Sequence, residues 1–180
     1  MNSSTKEILS NITKGDMNAL GELYDLMAER VFNYAHMILR NKELAEDITH
    51  DVFLQIYKQS IRITKAQNPE GYIMVMTRNR AYNQIRLERR KSIYLDDIPE
   101  ASVSEQLNER FMFETALLKI PAIRRETVYL HLICGYTHKE TAAIMNAPVV
   151  TIKWRYGKAI EQLKEYLKQD ERRDTCYEKL

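Results

Sequence analysis

A chain of 180 residues with 44% hydrophobic and 29% charged side chains can close a core, which excludes global disorder. Only 5 Gly and 4 Pro are too few turn residues for an all-β sandwich or barrel. No apolar run approaches the roughly 18 residues of a membrane span, so no membrane insertion is expected.

The apolar positions Leu20, Leu23, Tyr24, Met27, Val31, Ala35 and Ile38 follow the 3–4 spacing of one helical face between Asp16 and Arg40. A short helix before Gly15 completes this first bundle. A further helix is expected from about Glu43 to Ser60, with Leu44, Ile48, Val52 and Ile56 in register. Residues 62–71 read as a loop, and another helix follows from about Tyr72 to Lys91. Its C-terminal end is strongly basic, which also suits the helix dipole. Residues 92–104 lack periodicity and open a linker that spans 92–112. Beyond it, helices are expected over roughly 105–118, 122–133, 138–145 and 149–168, with a polar tail over 169–180. Leu117, Leu118, Ile120, Val128, Leu132, Ile144, Ile152 and Leu163 form the expected core of this second module. The fold class is therefore all-α: two small helical domains, 1–91 and 113–168, on a flexible acidic linker.

The net charge of +2 hides a strong pattern. Residues 78–91 carry six basic side chains (Arg78, Arg80, Arg86, Arg89, Arg90, Lys91) against Glu88. Residues 92–114 carry six acidic ones against Arg110, and 119–168 return to nine basic against four acidic. Two basic blocks separated by an acidic one suggest two anion-binding modules. Folding the acidic linker onto the basic blocks at low salt would weaken their nonspecific binding of polyanions, an effect assigned to Asp96, Asp97 and Glu100.

Residues 137–158 are the most informative. Thr137 and Glu140 match a capping box that opens a helix of about two turns, ending near the left-handed-tolerant Asn146. Pro148 opens the next helix. Two short helices joined by about three residues form a helix-turn-helix. On the second, Ile152, Tyr156, Ala159, Ile160 and Leu163 face the module core. Thr151, Trp154 and Lys158 lie opposite, flanked by Lys153 and Arg155, near the helix N-terminus that meets base edges in a major groove.

Leu118 to Leu167 resembles the promoter-reading C-terminal domain of bacterial sigma factors. The residues concerned are Pro121, Arg125-Glu126, Val128, Gly135-Tyr136-Thr137, Glu140, Ala142, Ile144, Pro148, Thr151-Ile152-Lys153, Arg155 and Ala159. Ala45-Glu46-Asp47 with Asp51-Val52-Phe53 resembles the sigma segment that docks on the polymerase clamp. Tyr72-Ile73 with Arg78-Asn79 and the basic run to Lys91 resembles the segment that opens the promoter. Two modules with nothing large between them are similar to the extracytoplasmic-function group.

This resemblance implies an alternative sigma factor that binds core RNA polymerase and directs initiation at promoter DNA. Glu46, Asp47, Asp51, Phe53, Leu54 and Tyr57 would meet the clamp helices, with the flap as a second contact. Asn68, Arg78, Asn79, Arg80, Asn83, Arg86, Arg89 and Arg90 would engage the minus-ten region. Arg124 and Arg125 would touch phosphates, while Thr151, Lys153, Trp154, Arg155 and Lys158 read the minus-thirty-five element. An anti-sigma partner is implied as well. The chain departs from the family at Trp154, where a small residue is usual, at Gly157, where a basic one is common, and at Val150, which replaces a frequent glycine.

A free-standing helix-turn-helix regulator is an alternative, although it leaves the first module without a task. A metal-dependent nucleic-acid enzyme built on Glu46, Asp47 and Asp51 is another. Against an enzyme stand the absence of a P-loop, a GxGxxG and a nucleophile elbow. Neither the four histidines nor Cys134 and Cys176 show zinc-site spacing, although His131 and Cys134 share a helix face. No cofactor is expected. The polar N-terminus and the two lone cysteines point to a reduced, cytoplasmic protein.

Overall fold

The computed structural model describes residues 2–92 and 116–177, with side chains placed for 5–90 and 116–167. The described residues are helical and contain no strand. The chain divides into two compact units at Ala101–Ser102; apart from Ser92, the expected linker over 92–112 lies outside the described residues, as does most of the helix expected over 105–118.

The first unit packs four helices: α1 (Asn2–Thr13), α2 (Met17–Leu39), α3 (Lys42–Thr64) and α4 (Pro69–Ser92). Each break has a local cause. Gly15, at φ +90°, turns the chain out of α1, and Asp16 caps α2 by accepting from the amides of Asn18 and Ala19. Arg40 ends α2 in the left-handed region, and its amide returns to the His36 carbonyl. Asn41 then caps α3 through the Leu44 amide. The core takes Leu23, Met27, Val31 and Ala35 from α2 and Ile48, Val52, Phe53 and Ile56 from α3. α1 adds Leu9 and Ile12, and α4 adds Ile73, Met76 and Ala81. Tyr24 belongs to the apolar face read from the spacing, yet it is exposed at the rim.

The expected loop over 62–71 is shorter than its composition suggests. Non-helical torsions at Gln59 kink α3, and the helix runs on to Thr64. That extension buries Ile63 completely, so a tertiary contact outweighs the polar local sequence. Asn68 then caps α4, its carboxamide oxygen accepting from Gly71 N at 2.8 Å, with Pro69 at the first helical position.

In the second unit, residues 116–119 are helical and precede α5 (Ala122–Val128). A π turn (Tyr129–Ile133) follows, then α6 (His138–Met145) and α7 (Val149–Tyr177). Ala116, Leu117, Ile120, Val128, Ala159 and Leu163 form one cluster, and Leu130, Tyr136, Ala142, Ile144, Met145 and Ile152 are buried too. Two expected core residues are not: Leu118 is 41% and Leu132 is 52% exposed. Leu130, two residues before Leu132, is the buried one; the segment winds as a π turn, in which Cys134 N bonds back to Tyr129 O, five residues away. α7 also outruns its expected end at 168, extending through most of the segment read as a polar tail.

Candidate functional site

The helix-turn-helix is closed by its own backbone. The Thr137 hydroxyl accepts from Glu140 N at 3.2 Å, and the Glu140 carboxylate accepts from Thr137 N at 2.9 Å and from the Thr137 hydroxyl at 2.8 Å. At the other end Asn146 adopts φ 49°; its amide returns to Ala143 O and that of Ala147 to Ala142 O, a Schellman closure. The Pro148 carbonyl accepts from Ile152 N and starts α7. These stops hold α6 and the first turns of α7 in a set relation.

The outward face of α7 matches the expected side. Lys153, Trp154 and Lys158 are exposed, and Thr151 and Arg155 are half-buried. Val150 is 79% exposed and Trp154 57%. The Arg124 guanidinium lies over the Trp154 ring, 5.4 Å from its centroid, and donates to Gln162 Oε1 at 2.9 Å. Lys158 pairs with Glu161 at 2.7 Å, and this donor holds the Glu161 carboxyl below its ordinary range. A Cβ at Gly157 would meet no atom within 4 Å.

Arg125 corrects the expectation of a phosphate contact. The residue is only 7% exposed, and its Nη2 donates to the Ile120 carbonyl at 3.4 Å. It stands one residue beyond Arg124, beneath the surface, and satisfies a backbone acceptor where the chain enters α5.

Behind the reading face, three rings gather where the π turn, α6 and α7 meet. His131 lies 3.9 Å from His138 and 4.7 Å from Tyr156 between ring centroids, with His138 and Tyr156 at 5.2 Å. His131 Nδ1 donates to the Tyr136 carbonyl at 2.6 Å, which fixes its tautomer. His138 Nδ1 is buried without a hydrogen-bond partner among the described residues. Burial, then the proximity of His131 and Lys153, hold the His138 pKa below its ordinary value.

In the first unit, the expected DNA side chains line α4 but are used unequally. Asn79, Arg89 and Arg90 are exposed. Arg78 lies over the Tyr82 ring at 4.7 Å, and Arg86 Nη1 donates to Asn83 Oδ1 at 3.3 Å. Arg80 reaches back to α3, where it binds the Asp51 carboxylate and the Gln55 carboxamide oxygen. One expected DNA contact thus grips one expected polymerase contact. Asn68 has its side-chain oxygen committed to the α4 cap.

On α3, Glu46, Asp47 and Asp51 are exposed, as are Leu54 and Tyr57. Phe53 is a correction: it is 5% exposed, packs in the core and meets the Tyr24 ring at 4.7 Å, so it offers no docking surface. Ile61, not among the expected contacts, lies beyond the kink at Gln59 and is 63% exposed as well. Beside this face, Tyr24, Ala28, Phe32, Glu29, Glu46, Thr49 and His50 line an open cleft of about 240 Å³ between α2 and α3.

Among the described residues no three His, Cys, Asp or Glu side chains gather to hold a metal ion, Glu46, Asp47 and Asp51 included. None of the described helices is long and apolar enough to cross a membrane.

Comparison with known proteins accounts for both units. Residues 23–91 match Sigma-70 region 2, and residues 110–163 match Sigma-70, region 4. The chain is 26% identical over 171 residues to the ECF RNA polymerase sigma factor SigK of Mycobacterium sp. (strain JLS), covering 89% of each chain. It is 24% identical over 183 residues to SigW of Bacillus subtilis (strain 168), covering 91% of this chain and 96% of SigW. Two solved structures share the fold. The sigma factor RpoE of Bartonella quintana, in complex with the anti-sigma factor NepR, gives a TM-score of 0.72 at 24% identity, covering 82% of this chain and 96% of that one. CnrH, in complex with the cytosolic domain of CnrY, gives 0.66 at 18% identity, covering 93% and 99%. A free-standing regulator is set aside, because the first unit is matched as well as the second. With regions 2 and 4 matched in that order and relatives of one kind spanning both, the chain belongs to the sigma-70 superfamily of transcription initiation factors, as an extracytoplasmic-function sigma factor.

Proposed function

We propose that the first unit docks on core RNA polymerase through the α3 face of Glu46, Asp47, Leu54 and Tyr57, extended by Ile61. α4 then lies along the upstream edge of the melted promoter. Arg86, Arg89 and Arg90 attract phosphates without regard to sequence, and Asn79 and Asn83 supply base hydrogen bonds. Arg78 on Tyr82 presents a flat cation for stacking. In the second unit, α7 enters the major groove of the minus-thirty-five element with Lys153, Trp154, Arg155 and Lys158 forward and Arg124 toward the backbone. The polymerase supplies the catalysis, and the setting is the cytoplasm, where the chromosome is read. An anti-sigma protein would hold the chain inactive by covering these same faces; the similar sigma factor RpoE is found in complex with an anti-sigma factor, NepR.

The observation that carries this reading is the succession of a region 2 module with an exposed apolar–acidic stripe on α3 and a region 4 module with an exposed α7. Reconstitution with purified core polymerase tests it. The two should co-elute on gel filtration, and the complex should start transcripts at defined positions on a genomic template library where core alone does not. A chain that elutes apart from core and yields no defined starts would overturn the reading.

A further inference from the structure

The first turn of α7 carries an unusual set of outward groups for a helix meant to read bases. The side chains that pair bidentately with base edges are Arg and Lys for guanine and Asn and Gln for adenine. None of these occupies positions 149–152, which are Val149, Val150, Thr151 and Ile152. Instead the most exposed residue is Val150, at 79%, and one helical turn on stands Trp154, at 57%. Neither helps the unit's own core, which Ile152 and Ala159 serve from the opposite side. The indole does not float. Arg124 from α5 lies over its ring at 5.4 Å and is itself held by Gln162. The result is an apolar edge of two side chains, with cations beside it, standing out from a rigid turn.

The major-groove edge of DNA offers one apolar group, the C5-methyl of thymine. We propose that Val150 and Trp154 are specificity-determining residues that recognise thymine methyl groups in the upstream promoter element. This rests on the second unit reading promoter DNA, and gives that reading its chemistry. Burial of one methyl carbon corresponds to about a fourfold change in binding.

The test uses the full chain with core polymerase on a promoter found by the reconstitution above. Thymines of the upstream element are replaced one at a time by deoxyuridine, which removes the methyl and leaves every hydrogen-bonding group in place. Initiation complexes should form about fourfold more weakly at one or two of these positions. The Val150→Ala, Trp154→Ala double variant should bind the thymine and deoxyuridine templates alike; both side chains are exposed, so the fold should persist. Equal binding of thymine and deoxyuridine templates by the unaltered chain would overturn the proposal, as would a preference that survives in the double variant. A complex that initiates nowhere on the thymine template marks a different failure, that of the sigma reading itself, and takes this proposal with it.

Discussion

The two units solve the same problem with different means. The first closes a broad core over four helices and can enlist surface groups as cross-links. Glu70 accepts from Thr5 at 2.8 Å and from Arg30 at 3.0 Å, and Arg80 ties α4 to α3. The second has a smaller continuous core and leans on backbone stops: a capping box, a left-handed Asn146 and a π turn. A large core lets polar side chains serve two purposes, whereas a small one leaves its outward face free because local geometry does the holding.

The chain offers a means to break this contrast. Its single tryptophan, Trp154, lies in the second unit, so indole emission follows that unit while helical circular dichroism follows both. The largest effect is expected from Ile56→Ala, which empties a fully buried position in the first core. It should cost about 2–5 kcal/mol in denaturant unfolding by circular dichroism and leave the Trp154 transition in place. A Trp154 transition that moves with it would show that the units unfold as one.

Thr137→Ala should do the reverse, lowering the Trp154-reported stability by about 1 kcal/mol through loss of the cap. A negligible change would mean that packing, not the stop, holds α6. Gly157→Ala sharpens the same point with opposite sign. The new Cβ meets open space, so the second unit should gain up to about 1 kcal/mol. The structure does not explain why glycine stands there.

The last prediction is a slope rather than a step. His138 titrates below its ordinary value in the folded state, so the unfolded chain binds its proton first as acid is added. Stability of the second unit is therefore complete above the unfolded value near 6.5 and declines as the pH falls below it. The urea midpoint followed by Trp154 emission should drop between pH 7 and 5.5, and less steeply in His138→Gln. An unchanged slope in that variant would show that His138 is not its source.

Much of this was legible in the residues. The 3–4 spacing of Leu23, Met27, Val31 and Ala35 predicts α2 and its buried side, and Thr137 with Glu140 predicts the capped turn. The reading of α7 holds because its two faces differ in chemistry. What escaped did so for physical reasons. A stripe drawn through Ile48, Val52 and Ile56 is one residue wide, but a helix wedged between neighbours buries a wider band, which takes in Thr49 and Phe53. In sequence Arg124 and Arg125 read as one basic pair, and only folding reveals that the Ile120 carbonyl takes a donor from Arg125. Asn68 followed by Pro69 is also a helix-start signal, and the folded chain uses it as one. The 3–4 spacing groups Leu132 with Val128, yet the buried leucine is Leu130, within a π turn that its sequence does not announce.

That wide turn has a bearing on how the chain tolerates insertions and deletions. An ordinary helix advances 100° for each residue, so a loop that absorbs one surplus residue sets the angular phase of everything threaded after it. Deleting a single codon within Tyr129–Ile133 would restore regular winding there. The chain would then leave the turn about 100° out of phase with the packing that now buries Leu130 and Tyr136, and that part of the core would have to be rebuilt.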